Sequence, residues 1–248
     1  MEEGLGRKCI FCEGKPVTRE HLWPQWLTEV VPADAAIECS HTWQRGVSEP
    51  AEFAQRPFQL TVRAVCENCN GGWMSAIESE TKDLASGMIQ GRARVLHREG
   101  QRTLAVWATL KAMMFACTAP ELPLGQGLFS SLLEDPSVPP SLTYVWVARA
   151  DGESPAFWSA SGLVLGEQEA SGAYPPLYIS TLSVNHLVVQ ALLNNGEEDL
   201  ALMHGGDIAA GLQQIWPLKN DTVTAAGGPS LTNRGLHRVA SVGRHKRL

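Results

Sequence analysis

The hydrophobic and polar pattern of the first 80 residues predicts short elements. Residues 18–21 are typical of a short extended segment, and residues 25–31 of a short helix stopped by Pro32. Residues 58–65 alternate in part and predict a strand that runs into Cys66. A helix is expected to begin near Trp73 and to continue past residue 80. Residues 33–58 have no clear periodicity, so no element is assigned there.

From residue 81 onward the pattern predicts longer elements. Residues 101–117 form the clearest helix, because apolar residues recur every three or four positions until Pro120 ends it. A loop follows at residues 120–141, with one helical turn at 129–133. Strands are predicted at four places: residues 142–148, 162–166, 178–184 and 186–193. A short helix is expected at 207–215, and the basic tail from Ser230 is expected to be flexible. The pattern therefore predicts an α+β fold with a first domain at 1–80 and a larger domain at 81–248, which combines a long helix with a mostly antiparallel sheet.

The composition agrees with a folded chain that does not enter a membrane. The 248 residues are 44% hydrophobic and 19% charged, and the formal net charge is −6. No segment reaches the 18 or more apolar residues of a membrane-spanning helix, so a cytoplasmic location is expected. An acidic chain is not expected to coat nucleic acid, but a local basic patch and bound cations can still attract phosphate.

Four cysteines occur as two Cys-x-x-Cys pairs, Cys9 with Cys12 and Cys66 with Cys69. In a reducing compartment such pairs indicate a metal or redox site more often than disulfides. Four thiolates suit a closed tetrahedral Zn²⁺ site that would join two distant parts of the chain. The alternative is a redox pair, although no βαβ pattern surrounds either one. The two remaining cysteines, Cys39 and Cys117, are not assigned to a metal, and Cys117 is expected in the core.

Three polar residues lie close in sequence to these cysteines. Glu20 and His21 lie between the pairs, and Asn70 directly follows Cys69. A carboxylate and an amide oxygen suit Mg²⁺ or a similar ion, and a neutral imidazole can take a proton from water. Each residue also has an ordinary interpretation, because a lone histidine is often a surface or packed residue and Asn-Gly-Gly is a common turn.

Together these residues resemble a known family over about residues 9–80. A Cys-x-x-Cys pair, an acidic residue followed by histidine and then proline, and a second Cys-x-x-Cys followed by asparagine are similar to the HNH endonucleases of the ββα-metal (His-Me finger) fold. The longer string around Glu20–His21 and Cys66–Glu78 also resembles uncharacterised bacterial and phage HNH-like proteins. The resemblance implies a structural zinc on the four cysteines, a catalytic Mg²⁺ or Mn²⁺ held by Glu20 and Asn70, and His21 as general base.

The chain departs from the family pattern in two places. Glu20 stands where the family more often has aspartate, and Thr61 stands where many members have an asparagine that orients the base. His41, Arg45 and Arg63 are candidates to orient His21 or to hold phosphate. Arg19, Arg45 and Arg63 are the residues that we expect to contact nucleic acid.

The sequence therefore predicts a metal-dependent endonuclease that hydrolyses the phosphodiester bonds of DNA, in phage, mobile-element or anti-phage defence biology. A non-catalytic zinc-containing module that binds nucleic acid or protein is the main alternative. Residues 81–248 carry no motif tied to chemistry, and they could select the substrate, form a homodimer or bind another partner. His186 and His204 are interpreted as ordinary residues of the fold.

Overall fold

A computed structural model describes residues 7–31, 37–43, 58–119, 124–163, 177–196 and 211–240, with only the backbone described at 37–43. The strands of the described chain, in order, are β1 Val17–His21, β2 Ile37–Trp43, β3 Thr61–Cys66, β4 Arg94–His97, β5 Thr143–Ala150, β6 Ala156–Leu163, β7 Leu177–Val184, β8 Leu187–Asn194, β9 Gln213–Trp216, β10 Thr222–Ala225 and β11 Ser230–Leu231. The helices are α1 Glu67–Cys69, α2 Ser75–Ile89, α3 Arg98–Ala116, α4 Gln126–Glu134 and α5 Asn233–Ala240, with a 3₁₀ turn at Gln25–Glu29 and a π-helical turn at Asn70–Met74.

Strands of the second region, together with β2 from the first region, form a mostly antiparallel sheet. Its strands lie in the order β11-β5-β8-β7-β6-β2 within the described residues, and β9 also pairs with β5. The pairs among β5, β6, β7 and β8 are antiparallel, whereas β2 and β11 join the two edges in parallel. Every residue of β7 and β8 is buried, which shows that other elements cover both faces of the sheet. The predicted α+β class and mostly antiparallel sheet are confirmed.

Helix α3 packs on one face of this sheet and is buried almost all round. Leu104, Trp107, Leu110 and Met114 are completely buried, as the hydrophobic periodicity predicts. The helix also contacts α2, so the same apolar core includes residues from both sides of residue 80. The proposed boundary at residue 80 falls inside α2, and independent folding of residues 1–80 stays a prediction.

Helix α5 covers the opposite face of the sheet. Leu236, Val239 and Ala240 are buried there, at the spacing of one helical face. The Thr232 hydroxyl accepts a hydrogen bond from the Gly235 N–H at 3.1 Å, which helps to start the helix. The prediction of a flexible tail from Ser230 was therefore wrong for the residues up to Ala240. It was based on the number of basic residues and gave no weight to the spacing of the apolar ones.

Three other predictions need correction. Residues 129–133 are not a single turn but part of the nine-residue α4. The helix predicted at 207–215 is wrong from Gln213, where a strand begins because pairing with β5 overrides local preference. Gly211 is helical, and residues 207–210 lie outside the described part. The strand expected at 162–166 begins already at Ala156, and residues 164–166 also lie outside it.

The described part of the chain contains no helix long and apolar enough to cross a membrane.

Candidate functional site

Two antiparallel strands carry the residues of the candidate site. β1 pairs with β3 so that Val17 lies opposite Cys66 and His21 lies opposite Thr61. The pairing is irregular between Thr18 and Glu20, and such bulges change the direction in which a side chain points. The Glu20 side chain is buried while Arg19 stays exposed. After β3, the short α1 and the π-helical turn lead directly into α2.

The fold brings the four cysteines of the two pairs into one cluster. Their four sulfur atoms lie within 4.8 Å of one another. Cys12 Sγ lies 3.5 Å from Cys66 Sγ and 3.6 Å from Cys69 Sγ. A tetrahedral site with Zn–S bonds of about 2.3 Å needs sulfur–sulfur distances of about 3.8 Å. The cluster is therefore compatible with a structural metal such as zinc.

The backbone around the first pair shapes this cluster. Cys9 N–H donates to the Gly14 carbonyl at 3.0 Å and Glu13 N–H donates to the Cys9 carbonyl at 2.9 Å, which closes a tight turn. A Cβ atom at Gly14 would lie 3.2 Å from Cys12 Sγ, so the turn leaves little room for a side chain there. Burial alone would raise the pKa of Cys9, but backbone N–H groups of Cys12, Cys66 and Phe11 donate to its sulfur and lower the pKa to about 7. At Cys9 this environment favours thiolate, the form that binds metal, whereas burial raises the pKa of Cys69.

A cavity of about 430 Å³ opens beside the cysteine cluster. The residues named from the sequence line it together, namely Glu20, His21 and Asn70, with Arg19 also part of the lining. Glu67 and Glu78 add two more carboxylates to the wall. The lining therefore carries more negative than positive charge, and a cation would be favoured there.

Glu20 is the most deeply placed acid of this wall. Burial raises its pKa to about 7, and the nearby Glu78 carboxylate acts in the same direction. The Lys111 ammonium, the His21 backbone and a hydrogen bond from the Asn70 side chain oppose this rise in pKa. Asn70 Nδ2 also lies 3.5 Å from Thr18 Oγ1. These contacts place Asn70 directly beside Glu20, as a shared ion site would require.

His21 is half-buried and contacts a residue that the sequence did not suggest. Gln25 Nε2 lies 3.1 Å from His21 Nδ1 and 3.3 Å from Nε2. The side-chain amide can donate through its nitrogen or, if rotated by 180°, accept through its oxygen, so it can hold the imidazole in either tautomer. Gln25 follows His21 by four residues and begins the 3₁₀ turn, so Pro24 sets the direction in which it approaches the ring.

The structure does not place the other residues proposed to contact phosphate or to orient His21 in the wall of this cavity. Arg63 is exposed on β3 and does not line the cavity. His41 lies in β2, where only the backbone is described, and Arg45 lies outside the described residues. Cys39 is likewise in β2, whereas Cys117 is partly buried at the end of α3, where it packs against the apolar core. His186 Nδ1 donates a 3.0 Å hydrogen bond to the Ala150 carbonyl, and His204 lies outside the described residues.

The sequence analysis did not identify two charged residues near this site, Glu78 and Lys111, although the sequence contains a signal for each. Asn70, Met74 and Glu78 line the cavity at intervals of four, the spacing of one helical face. Lys111 is the sole charged residue between positions 103 and 120, within an otherwise apolar helix. A lone charge at a position that must be buried indicates a partner, and here the partners are Glu78 and Glu20.

Comparisons of the chain with protein-family models, curated proteins and solved structures gave no match.

Proposed function

We propose that the protein is a metal-dependent endonuclease of the HNH type that hydrolyses phosphodiester bonds in DNA. The observation that carries the proposal is the convergence of Glu20, His21 and Asn70 on one open cavity beside the cysteine cluster. The three residues come from two segments about 50 positions apart, and the cysteines join the same two segments. The antiparallel pair β1–β3 followed by α2 supports the topology that the resemblance implies.

The donors present fit a hard divalent ion. Glu20 offers a carboxylate and Asn70 an amide oxygen, which are preferred ligands of Mg²⁺ and Mn²⁺. When bound, the ion would supply positive charge at the scissile phosphate and at the leaving oxygen. The softer four-thiol cluster would hold zinc instead, because thiolates prefer Zn²⁺ and oxygen donors prefer Mg²⁺ or Mn²⁺. The two metals therefore have separate roles, one structural and one catalytic.

The protein side chains have distinct tasks in this mechanism. His21 takes a proton from the attacking water, and Gln25 holds the imidazole ring in place. Asn70 keeps the Glu20 carboxylate in position through its amide N–H. Arg19 at the cavity rim is placed to contact a phosphate oxygen of the strand. Because Glu20, Glu67 and Glu78 surround the cavity, productive approach of a phosphate depends on the divalent ion.

The test is cleavage of plasmid and branched DNA with Mg²⁺ or Mn²⁺, with parent, His21→Ala and His97→Ala compared. His97 is a matched control, because it is an exposed histidine that lines a different cavity. General-base catalysis contributes about 10²–10⁴ to rate, so His21→Ala should lose at least about a hundredfold at equal zinc content. His97→Ala should cut like the parent.

Two outcomes would count against the nuclease. Equal cutting by His21→Ala and the parent would show that His21 is not the base. No cutting by any variant, with zinc bound, would favour the second candidate, a non-catalytic zinc-containing module that binds nucleic acid or protein. The net charge of −6 favours the protein-binding form of that candidate, because an acidic chain repels a phosphate backbone. Repeating the assay with RNA identifies the nucleic acid.

A further inference from the structure

A buried ammonium group lies behind the acidic wall of the cavity. Lys111 is on α3, in the second region of the chain, and only 1% of its side chain is exposed. Its helix neighbours are apolar and completely or almost completely buried. A buried charge costs several kcal/mol unless it is paired, so its partners decide what it does.

Both partners of Lys111 belong to the candidate site. The ammonium forms an ion pair with Glu78, and its Nζ lies 3.9 Å from Glu20 Oε1. Glu20 and Glu78 line the cavity, whereas Lys111 does not. The two carboxylates therefore lie between a protein cation on the inner side and the open cavity on the outer side. One ammonium balances one carboxylate, so the pair presents a net negative charge to the cavity when both carboxyl groups are ionised.

We propose that Lys111 is the counter-ion of the acidic pair Glu20 and Glu78 at the divalent-ion site, where its ammonium balances part of their charge until an ion arrives. Glu78 then adds a second negative charge to the ion site formed by Glu20 and Asn70. This inference rests on the proposed function, because it assumes that the ion enters this cavity. It also makes the second region part of the site, since α3 supplies the ammonium.

A lysine that served stability alone would behave differently. Its loss would lower the melting temperature and leave the affinity for a divalent ion unchanged. In the proposed arrangement, loss of the ammonium leaves two neighbouring carboxylates without their counter-ion, and an ion in the cavity relieves their repulsion. A unit charge close to a divalent ion changes the binding constant by about tenfold or more. The ion should therefore bind more tightly when Lys111 is neutral.

The experiment measures Mn²⁺ binding to the zinc-loaded full chain by calorimetry and by electron paramagnetic resonance, together with the melting temperature with and without Mn²⁺. Without Mn²⁺, Lys111→Met should have a lower melting temperature than the parent. It should bind Mn²⁺ at least about tenfold more tightly, and Mn²⁺ should raise its melting temperature more than that of the parent. Lys111→Arg keeps the charge and should retain the parent dissociation constant. Lys82→Met is the matched control, because Lys82 pairs with Glu29 at 2.8 Å on the outside of α2.

Glu78→Gln keeps the proposal testable if Lys111→Met does not fold, because Glu78 is partly exposed. It should weaken Mn²⁺ binding at least about tenfold, since the site loses one negative charge. Unchanged Mn²⁺ affinity in Glu78→Gln, or unchanged or weaker affinity in Lys111→Met, would overturn the inference. If one of these contradicting affinities is found while the parent cuts DNA and His21→Ala does not, the proposed function stands and this inference alone fails. If the parent binds no Mn²⁺, both fail.

Discussion

The central sheet and the cysteine-and-cavity site are stabilised in different ways. In β7 and β8 all side chains are buried, and the strands are held by apolar contacts and ladder hydrogen bonds shared among many residues. The site instead brings together four sulfur atoms, a few carboxylates and one ammonium, and three of its cysteines, Cys9, Cys66 and Cys69, also pack in the apolar core. Contacts shared by many residues tolerate a single loss better than a ligand set in which each member is required. The largest effects of single changes are therefore expected in the first region.

Cys66→Ser should cause the largest loss, because it removes one of four ligands and leaves the others without a closed site. Structural zinc contributes about 10 kcal/mol or more to the folding of small zinc domains. We expect zinc content to fall to near zero and the melting temperature to drop further than in any sheet variant. Metal analysis and thermal unfolding by circular dichroism measure both quantities.

Cys117→Ser is the matched control for the cysteine cluster. Its sulfur lies 3.5 Å from the Met113 carbonyl, a contact that a serine hydroxyl can also make. Zinc content should stay at the parent value and the melting temperature should change little. Equal zinc loss in both variants would show that the cluster is not the zinc site, and full zinc in Cys66→Ser would show that this sulfur is not a ligand.

Trp158→Ala tests the sheet side of the comparison. Trp158 is completely buried, stacks on Phe115 with a ring separation of 4.7 Å, and donates from Nε1 to Ser180 Oγ at 3.1 Å. Truncating a core tryptophan costs about 3–5 kcal/mol of unfolding free energy. Denaturant unfolding should show this loss, while zinc content stays unchanged.

Trp158→Phe separates ring packing from the hydrogen bond. It keeps most of the apolar contact with Phe115 but removes the indole donor to Ser180, so a loss of about 1–3 kcal/mol is expected. A Trp158→Ala variant that loses its zinc would contradict the expectation that the cysteine cluster tolerates the loss of one sheet contact. Such a result would instead couple the cluster and the sheet through the shared core around α3.

The same difference explains how far the sequence predicts the structure. Apolar periodicity located α3 and strands β5, β7 and β8, because burial of one face or of both faces leaves a regular signal. The spacing and chemistry of the four cysteines predicted their cluster, and they also predicted that Glu20, His21 and Asn70 would lie close together. The signal is weaker for Gln25 and Lys111, because their roles depend on which elements become neighbours. The prediction of a helix where β9 lies was wrong for the same reason, since its partner strand β5 is more than 60 positions away.

Arg63→Ala is expected to have the smallest effect, and it tests which region contacts nucleic acid. Arg63 is exposed on β3, next to the strand that carries Glu20 and His21. A single phosphate contact adds about one unit to the salt dependence of binding and little to sequence preference. In a His21→Ala background, which prevents cleavage, Arg63→Ala should weaken DNA binding a few-fold and reduce the slope of log K against log salt by about one.

Arg98→Ala is the control for Arg63, because Arg98 is an exposed arginine in the second region, where it pairs with Asp221 at 2.9 Å. It should leave both DNA affinity and salt slope at the value of the His21→Ala background. An equal loss in the two variants would mean that the nucleic acid also contacts the face of the molecule near the start of α3. Unchanged binding in Arg63→Ala would instead direct attention to Arg19, the basic residue that lines the cavity in the described part of the chain.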